Sequence, residues 1–171
     1  MTSEEILFAS HKGKSVLLDS NLLLVFLVGA FDPKLFGRFK RVSDYRMEDY
    51  DLLVRLLSSF SVLLTTPHIL TEVSNLANHL PERMKLDWFL SFADLLKSEA
   101  QTPGIRERWL PAAQLSVMPE FSAFGITDAG LTALASEALI VTEDHRLSGR
   151  LRKHGTPVLN FGDLRKMESS F

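Results

Sequence analysis

Four acidic side chains stand at places where they could do chemistry in this chain of 171 residues: Asp19, Glu72, Asp128 and Asp144. Asp19 ends the apolar run Val16-Leu17-Leu18, and Asp144 closely follows Leu139-Ile140-Val141-Thr142. Glu72 comes about one helical turn after Val62-Leu63-Leu64-Thr65-Thr66-Pro67, and Asp128 opens the apolar stretch 126–131. In an open α/β sheet the carboxyl ends of parallel strands meet at one edge, and sites form there. Carboxylates distant in sequence would then share a pocket. Like charges in one pocket repel, and a hard divalent cation with oxygen ligands relieves the repulsion. That arrangement points to metal-assisted phosphodiester hydrolysis.

Each acid also has a plainer explanation. Asp19 alone reads as a turn or cap residue, and Asp144 as the cap of the helix that follows it. Glu72 and Asp128 could be first-turn acids stabilised by the helix dipole, the latter behind a Thr127 cap. Their joint order along the chain is what singles them out. Thr142 and Asn21 could orient a ligand or a water. Arg146 and Arg150 lie on the helix beside Asp144, and Lys34 and Arg38 lie in a basic loop. Phosphate contacts from these residues would supply affinity without sequence information; a solvated charged surface is the competing explanation. The five histidines show no metal-ligand spacing. Trp88, Phe89 and Phe92 recur at helical spacing, which favours core or a dimer seam over a platform for bases.

The elements that must position these groups alternate between strand-like and helix-like. Residues 15–18, 62–65, 139–142 and 157–159 read as strands, with 115–118 as a short further one. Their continuous apolar character suits a parallel sheet covered on both faces. Helices are expected at 21–30 (capped by Ser20 or Asn21), 48–61, 68–80 behind Pro67, 81–98, 127–136 and 145–154, the last stopped by Gly155. Residues 32–46 read as a basic loop, 101–111 as a connector or short helix, and 161–171 as a fraying tail. The expected fold is α/β: a three-layer α/β/α sandwich around a mostly parallel sheet of four to five strands, a single domain over 1–171 with its core at about 15–164.

Bulk properties narrow the function. A net charge of −2 argues against a protein that coats nucleic acid, but not against a nuclease with local contacts. With no cysteine, disulfides, thiolate metal sites and cysteine nucleophiles are excluded. The acidic start lacks the basic region of a signal peptide, and the longest apolar run, 22–31, is too short to cross a bilayer. The expectation is a cytoplasmic protein with no membrane partner.

At four points the residues resemble the PIN-domain ribonucleases, which include the toxins of VapC-type toxin–antitoxin pairs. Leu17-Leu18-Asp19-Ser20-Asn21 resembles the opening strand and first acid of that family, and Thr71-Glu72-Val73 the second acid. Gly125-Ile126-Thr127-Asp128-Ala129, with Leu134-Ala135, is similar to the third and is the most specific piece. Val141-Thr142-Glu143-Asp144, followed by Leu147, is similar to the Thr-x-Asp motif that closes the site. The resemblance runs from about residue 15 to 164, with extra length in the basic loop and in 81–111. It implies RNA hydrolysis assisted by Mg²⁺ or Mn²⁺, with Asp19 and Asp128 binding a cation directly. Glu72 and Asp144 would bind it through water or complete a second site. RNA is the implied substrate; an antitoxin protein and a second copy of the chain are the candidate protein partners. The alternative is a PIN-like protein-binding module with a weak or vestigial nuclease site. A phosphatase of the haloacid dehalogenase type would need Asp-x-Asp after the first strand, whereas Asn21 stands at the second position. A Rossmann cofactor enzyme would need a Gly-rich loop there, which is missing.

Overall fold

A computed structural model describes residues 3–98 and 103–168. The chain opens with α1 (Ser3–His11), then β1 (Ser15–Leu18) and α2 (Ser20–Phe31). Helix α2 is apolar all round, and Leu22, Leu23, Leu24, Val25, Leu27 and Val28 are all buried, the pattern of a helix covered on every side. Two short 3₁₀ turns, Pro33–Leu35 and Lys40–Val42, shape the basic loop before α3 (Met47–Leu57). Gly29 lets α3 approach α2 closely, since a Cβ there would fall 2.2 Å from the Tyr50 ring.

Strand β2 (Val62–Thr65) leads into α4 (Pro67–Ala77), whose start is set by Pro67 and by a Thr66 hydroxyl that accepts from Ile69 N. Helix α5 (Glu82–Lys97) buries Trp88 and Phe92, so the aromatic stripe belongs to the core. After it come β3 (Gly104–Glu107), α6 (Ala112–Leu115), α7 (Pro119–Phe124) and α8 (Ile126–Ala133). The chain closes with β4 (Leu139–Thr142), α9 (His145–Lys153), β5 (Val158–Asn160) and α10 (Phe161–Glu168). Gly155, at φ +71°, ends α9 as expected.

All five strands are parallel, in the order β3-β2-β1-β4-β5, and helices flank the sheet in an α/β/α sandwich. From β1 the chain builds outward through β2 to β3; from β4 it builds the other way to β5. The order therefore reverses between β1 and β4, and the crevice beyond their carboxyl ends is where sites of open α/β sheets form. Among the described residues, no helix is long and apolar enough to cross a membrane.

Several sequence expectations are corrected. Residues 115–118 form no strand: Leu115 ends α6, and Val117 is 84% exposed. The third strand of the sheet is instead β3, inside the stretch read as a connector. It is an edge strand whose Arg106 and Glu107 protect a free edge and hide the apolar signal. The tail is not frayed as far as Glu168: Asn160 Oδ1 accepts from Asp163 N, which sets the start of α10. Residues 99–102 and 169–171 lie outside the described set. Helix α1 has no counterpart among the sequence expectations. Asp19, rather than Ser20 or Asn21, caps α2. Gly125, at φ +94°, stands at the N-terminus of α8, and Thr127 lies inside the helix.

Candidate acidic site

Asp19 is the centre of the site. It is 7% exposed at the end of β1, and three donors converge on it. Leu22 N donates to Oδ1 at 2.8 Å as the cap bond of α2. Thr142 Oγ1, at the end of the neighbouring β4, donates to Oδ2 at 2.5 Å, and Glu143 N donates to the same oxygen at 3.2 Å. Burial pushes the Asp19 carboxyl above its ordinary range; the three donors pull it down without cancelling that effect, and the Glu143 charge adds to the rise.

Thr142 is fully buried and joins two acids. Its hydroxyl donates to Asp19 and accepts from Asp144 N at 3.0 Å. Asp144 in turn caps α9, with Oδ1 accepting from Arg146 N at 2.7 Å and Leu147 N at 3.0 Å. The plainer explanation for Asp144 is therefore true of one of its oxygens, and Oδ2 has no donor among the described residues. Glu72 is tied in from α4: Ser20 Oγ donates to its Oε2 at 2.9 Å, bridging the second and fourth helices.

Asp128 joins the group through charge. Its carboxyl is pushed up from 3.8 to about 7, first by burial and then by the negative charges of Asp19, Glu72 and Asp144. Charges act on one another this way only across a short, poorly screened distance. The fold thus brings Asp19, Glu72 and Asp144, spread from position 19 to position 144, near enough to Asp128 for their charges to raise its carboxyl. No protein donor reaches the Asp128 side chain among the described residues, so its charge is left uncompensated.

The donor set fits a hard divalent cation: carboxylate and hydroxyl oxygens only, with no sulfur and no imidazole among them. Among the described residues, however, no three His, Asp or Glu side chains converge at ligand distance as they stand. The physical reason is visible in the hydrogen bonds: Asp19, Asp144 and Glu72 are each turned toward protein donors, and mutual repulsion favours that separation.

The other expected residues divide. Thr142 acts within the site. Asn21 is exposed on the first turn of α2, with no side-chain bond to the acids. Arg150 Nε is paired with Glu120 at 3.2 Å, so its charge is already partly met. Arg146 is exposed and lies over the Phe124 ring at 5.7 Å. Lys34 and Arg38 are exposed in the loop after α2, with no acidic partner among the described residues.

Glu143, the middle residue of the Thr-x-Asp stretch, is held by protein partners and not by solvent alone. Glu143 accepts from the Tyr45 hydroxyl and pairs with Arg165 Nη1 at 2.7 Å. Arg165 also grips Asp49 through two nitrogens, at 2.8 and 2.9 Å, and donates to Asp44 O. Its guanidinium lies 5.0 Å from the centre of the Tyr45 ring. The final helix is thereby fastened to the turn after β4, which carries Glu143 and Asp144. Burial and the Glu143 bond push the Tyr45 hydroxyl well above the ordinary tyrosine range, so it stays protonated and donates. Ser20, expected only as a cap, instead holds Glu72, and its position beside Asp19 is its one signal in the sequence.

No protein-family model, curated protein or solved structure matches the chain.

Proposed function

We propose that the protein is a divalent-metal-dependent endoribonuclease that hydrolyses RNA phosphodiester bonds at the four-acid site. The observation that carries this reading is the placement of Asp19, Glu72, Asp128 and Asp144 around the switch point of the sheet, where burial first, and then the charges of the other three, raise the Asp128 carboxyl. A structural role gives no reason to gather four carboxylates without a balancing base; a cation site does. Asp19 and Asp128 would hold Mg²⁺ or Mn²⁺ directly, with Glu72 and Asp144 holding it through water or completing a second position. When bound, such an ion supplies an ionised water near neutral pH and neutralises charge developing on the phosphoryl oxygens. The protein's part is orientation. Thr142 and Glu143 N fix Asp19, Ser20 fixes Glu72, and the cap bonds hold one oxygen of Asp144 while leaving the other open. Exposed Arg146, Lys34 and Arg38 would meet the phosphate backbone.

Cleavage of pooled cellular RNA, with single-stranded DNA as control, tests the proposal. Cleavage in Mn²⁺ or Mg²⁺ that disappears with chelator and in Asp19→Asn/Asp128→Asn is the expected result. A folded wild type that binds Mn²⁺ yet leaves every RNA intact would overturn it. One observation favours the alternative of a protein-binding module with a weak or vestigial site: three of the four acids are already engaged by protein donors. In that case neither metal binding nor cleavage is expected. The finer proposal, a toxin paired with an antitoxin, rests on the motif resemblance. It predicts growth arrest on induction that Asp128→Asn relieves.

A further inference from the structure

We propose that the cleft between α4 and the α7–α8 turn is a nucleotide-base subsite beside the acids, with Phe124 as its stacking wall. The inference rests on the nuclease reading and adds to it the place where one unit of the substrate is held.

The cleft measures about 370 Å³. Its first wall is one face of α4, where the helical spacing aligns His68, Thr71, Glu72 and Asn75. Its second wall is residues 124–128, running from Phe124 through the Gly125 turn to Asp128. Each wall therefore carries one of the four acids, Glu72 on the first and Asp128 on the second, and the cleft is continuous with the place where the scissile phosphate would lie. Its volume is near the lower end of the 300–1,000 Å³ range of small-ligand pockets. That suits one nucleotide unit better than a helix or a stack of bases.

The lining suits a base chemically. Phe124 offers an aromatic surface, and base–aromatic stacking tolerates any base because every base has a π-face. The guanidiniums of Arg146 and Arg150 lie 5.7 and 5.9 Å from the centre of the Phe124 ring. Positive charge for an adjoining phosphate thus stands against the same ring, and Arg146 has no acidic partner among the described residues. The side chains of Thr71, Asn75 and Thr127 have no hydrogen-bond partner among the described residues, so their donors and acceptors are available to the edge of a base. An apolar protein side chain would leave those three groups, and an acid at each wall, unmet.

The test is binding of short fluorescent RNA homopolymers, and of an abasic strand of equal length, to Asp19→Asn protein in Mn²⁺, where cleavage does not interfere. Asparagine preserves the cap of α2. Adding Phe124→Ala should weaken the base-bearing strands by about tenfold and leave the abasic strand unchanged. Phe124 also packs on the core, so a second variant guards against misfolding. Asn75→Trp, placed on the exposed face of α4, should fill the cleft and give the same selective loss. If both variants bind every strand as the parent does, the base subsite is wrong while the nuclease reading stands. Equal weakening of the base-bearing and abasic strands also overturns the subsite. If neither the parent nor the wild type in chelator, which cannot cleave, binds any RNA, the two fall together.

Discussion

Replacing Asp128 with asparagine should make the metal-free protein more stable at neutral pH, against the usual expectation for a half-buried polar site. The Asp128 carboxyl is raised from 3.8 to about 7 in the folded protein. Well below pH 3.8 the group is protonated in both folded and unfolded states, and it contributes no difference. As pH rises from about 4 to about 7, the unfolded chain ionises freely while the folded one resists, so stability is progressively lost. Above about pH 7 the loss is complete. At about 1.36 kcal/mol per pH unit, its ceiling is about 4 kcal/mol. Partial exposure and solvent screening reduce it to about 2–3 kcal/mol. Asparagine loses about 0.3–1 kcal/mol of interaction with the α8 N-terminus. The net gain is about 1–2 kcal/mol, a rise in Tm of about 2–8 °C for a chain of this size. Thermal melts in chelator across about pH 4–8 should show the two proteins together at the acid end and separating as pH rises. Excess Mn²⁺ should reverse the order, since it stabilises only a protein that binds it. A variant that melts below wild type at neutral pH in chelator, or a gap that ignores pH, would show that ionised Asp128 does not destabilise the fold.

Other perturbations probe the supports of the site. Thr142→Val removes a donor to Asp19 and the acceptor for Asp144 N in a fully buried position; chemical denaturation should show a loss of about 1–3 kcal/mol. Arg165→Met leaves Glu143 and Asp49 unpaired beside the site. A loss of about 2–4 kcal/mol is expected, with Arg165→Lys recovering only part because one ammonium cannot replace the forked contacts. Gly29→Ala drives a Cβ into the Tyr50 ring and should cost about 1–3 kcal/mol by the same measurement, whereas Gly149→Ala, at a position with open space, should not destabilise.

The parts of this protein legible in its sequence are those where one local signal prevails. β1, β2 and β4 are unbroken apolar runs because they are buried on both faces, and their ends carry Asp19, Thr66 and Asp144 as punctuation. The signal fails where tertiary context decides. β3 holds its place by pairing with β2, and its Gly-Ile-Arg-Glu residues show little apolar character. Leu115-Ser116-Val117-Met118 has strand-like composition, yet it lies between Pro111 and Pro119 and leaves Val117 in solvent. The Asn160…Asp163 spacing did mark the start of α10, but a short amphipathic helix at a chain end is easily read as a tail. Within the site, the four acids were visible as positions. The links between them were not, because Ser20 with Glu72 and Tyr45 with Glu143 meet only across the folded sheet edge.

Four carboxylates acting as one divalent-cation site should bind Mn²⁺ together. Mn²⁺ titration followed by electron paramagnetic resonance, on wild type and on Asp19→Asn, Glu72→Gln, Asp128→Asn and Asp144→Asn, tests it most directly. Saturable binding by wild type is expected to weaken in every variant, most in Asp19→Asn and Asp128→Asn. Binding that survives unchanged in Asp128→Asn, or no binding by a folded wild type, would contradict it.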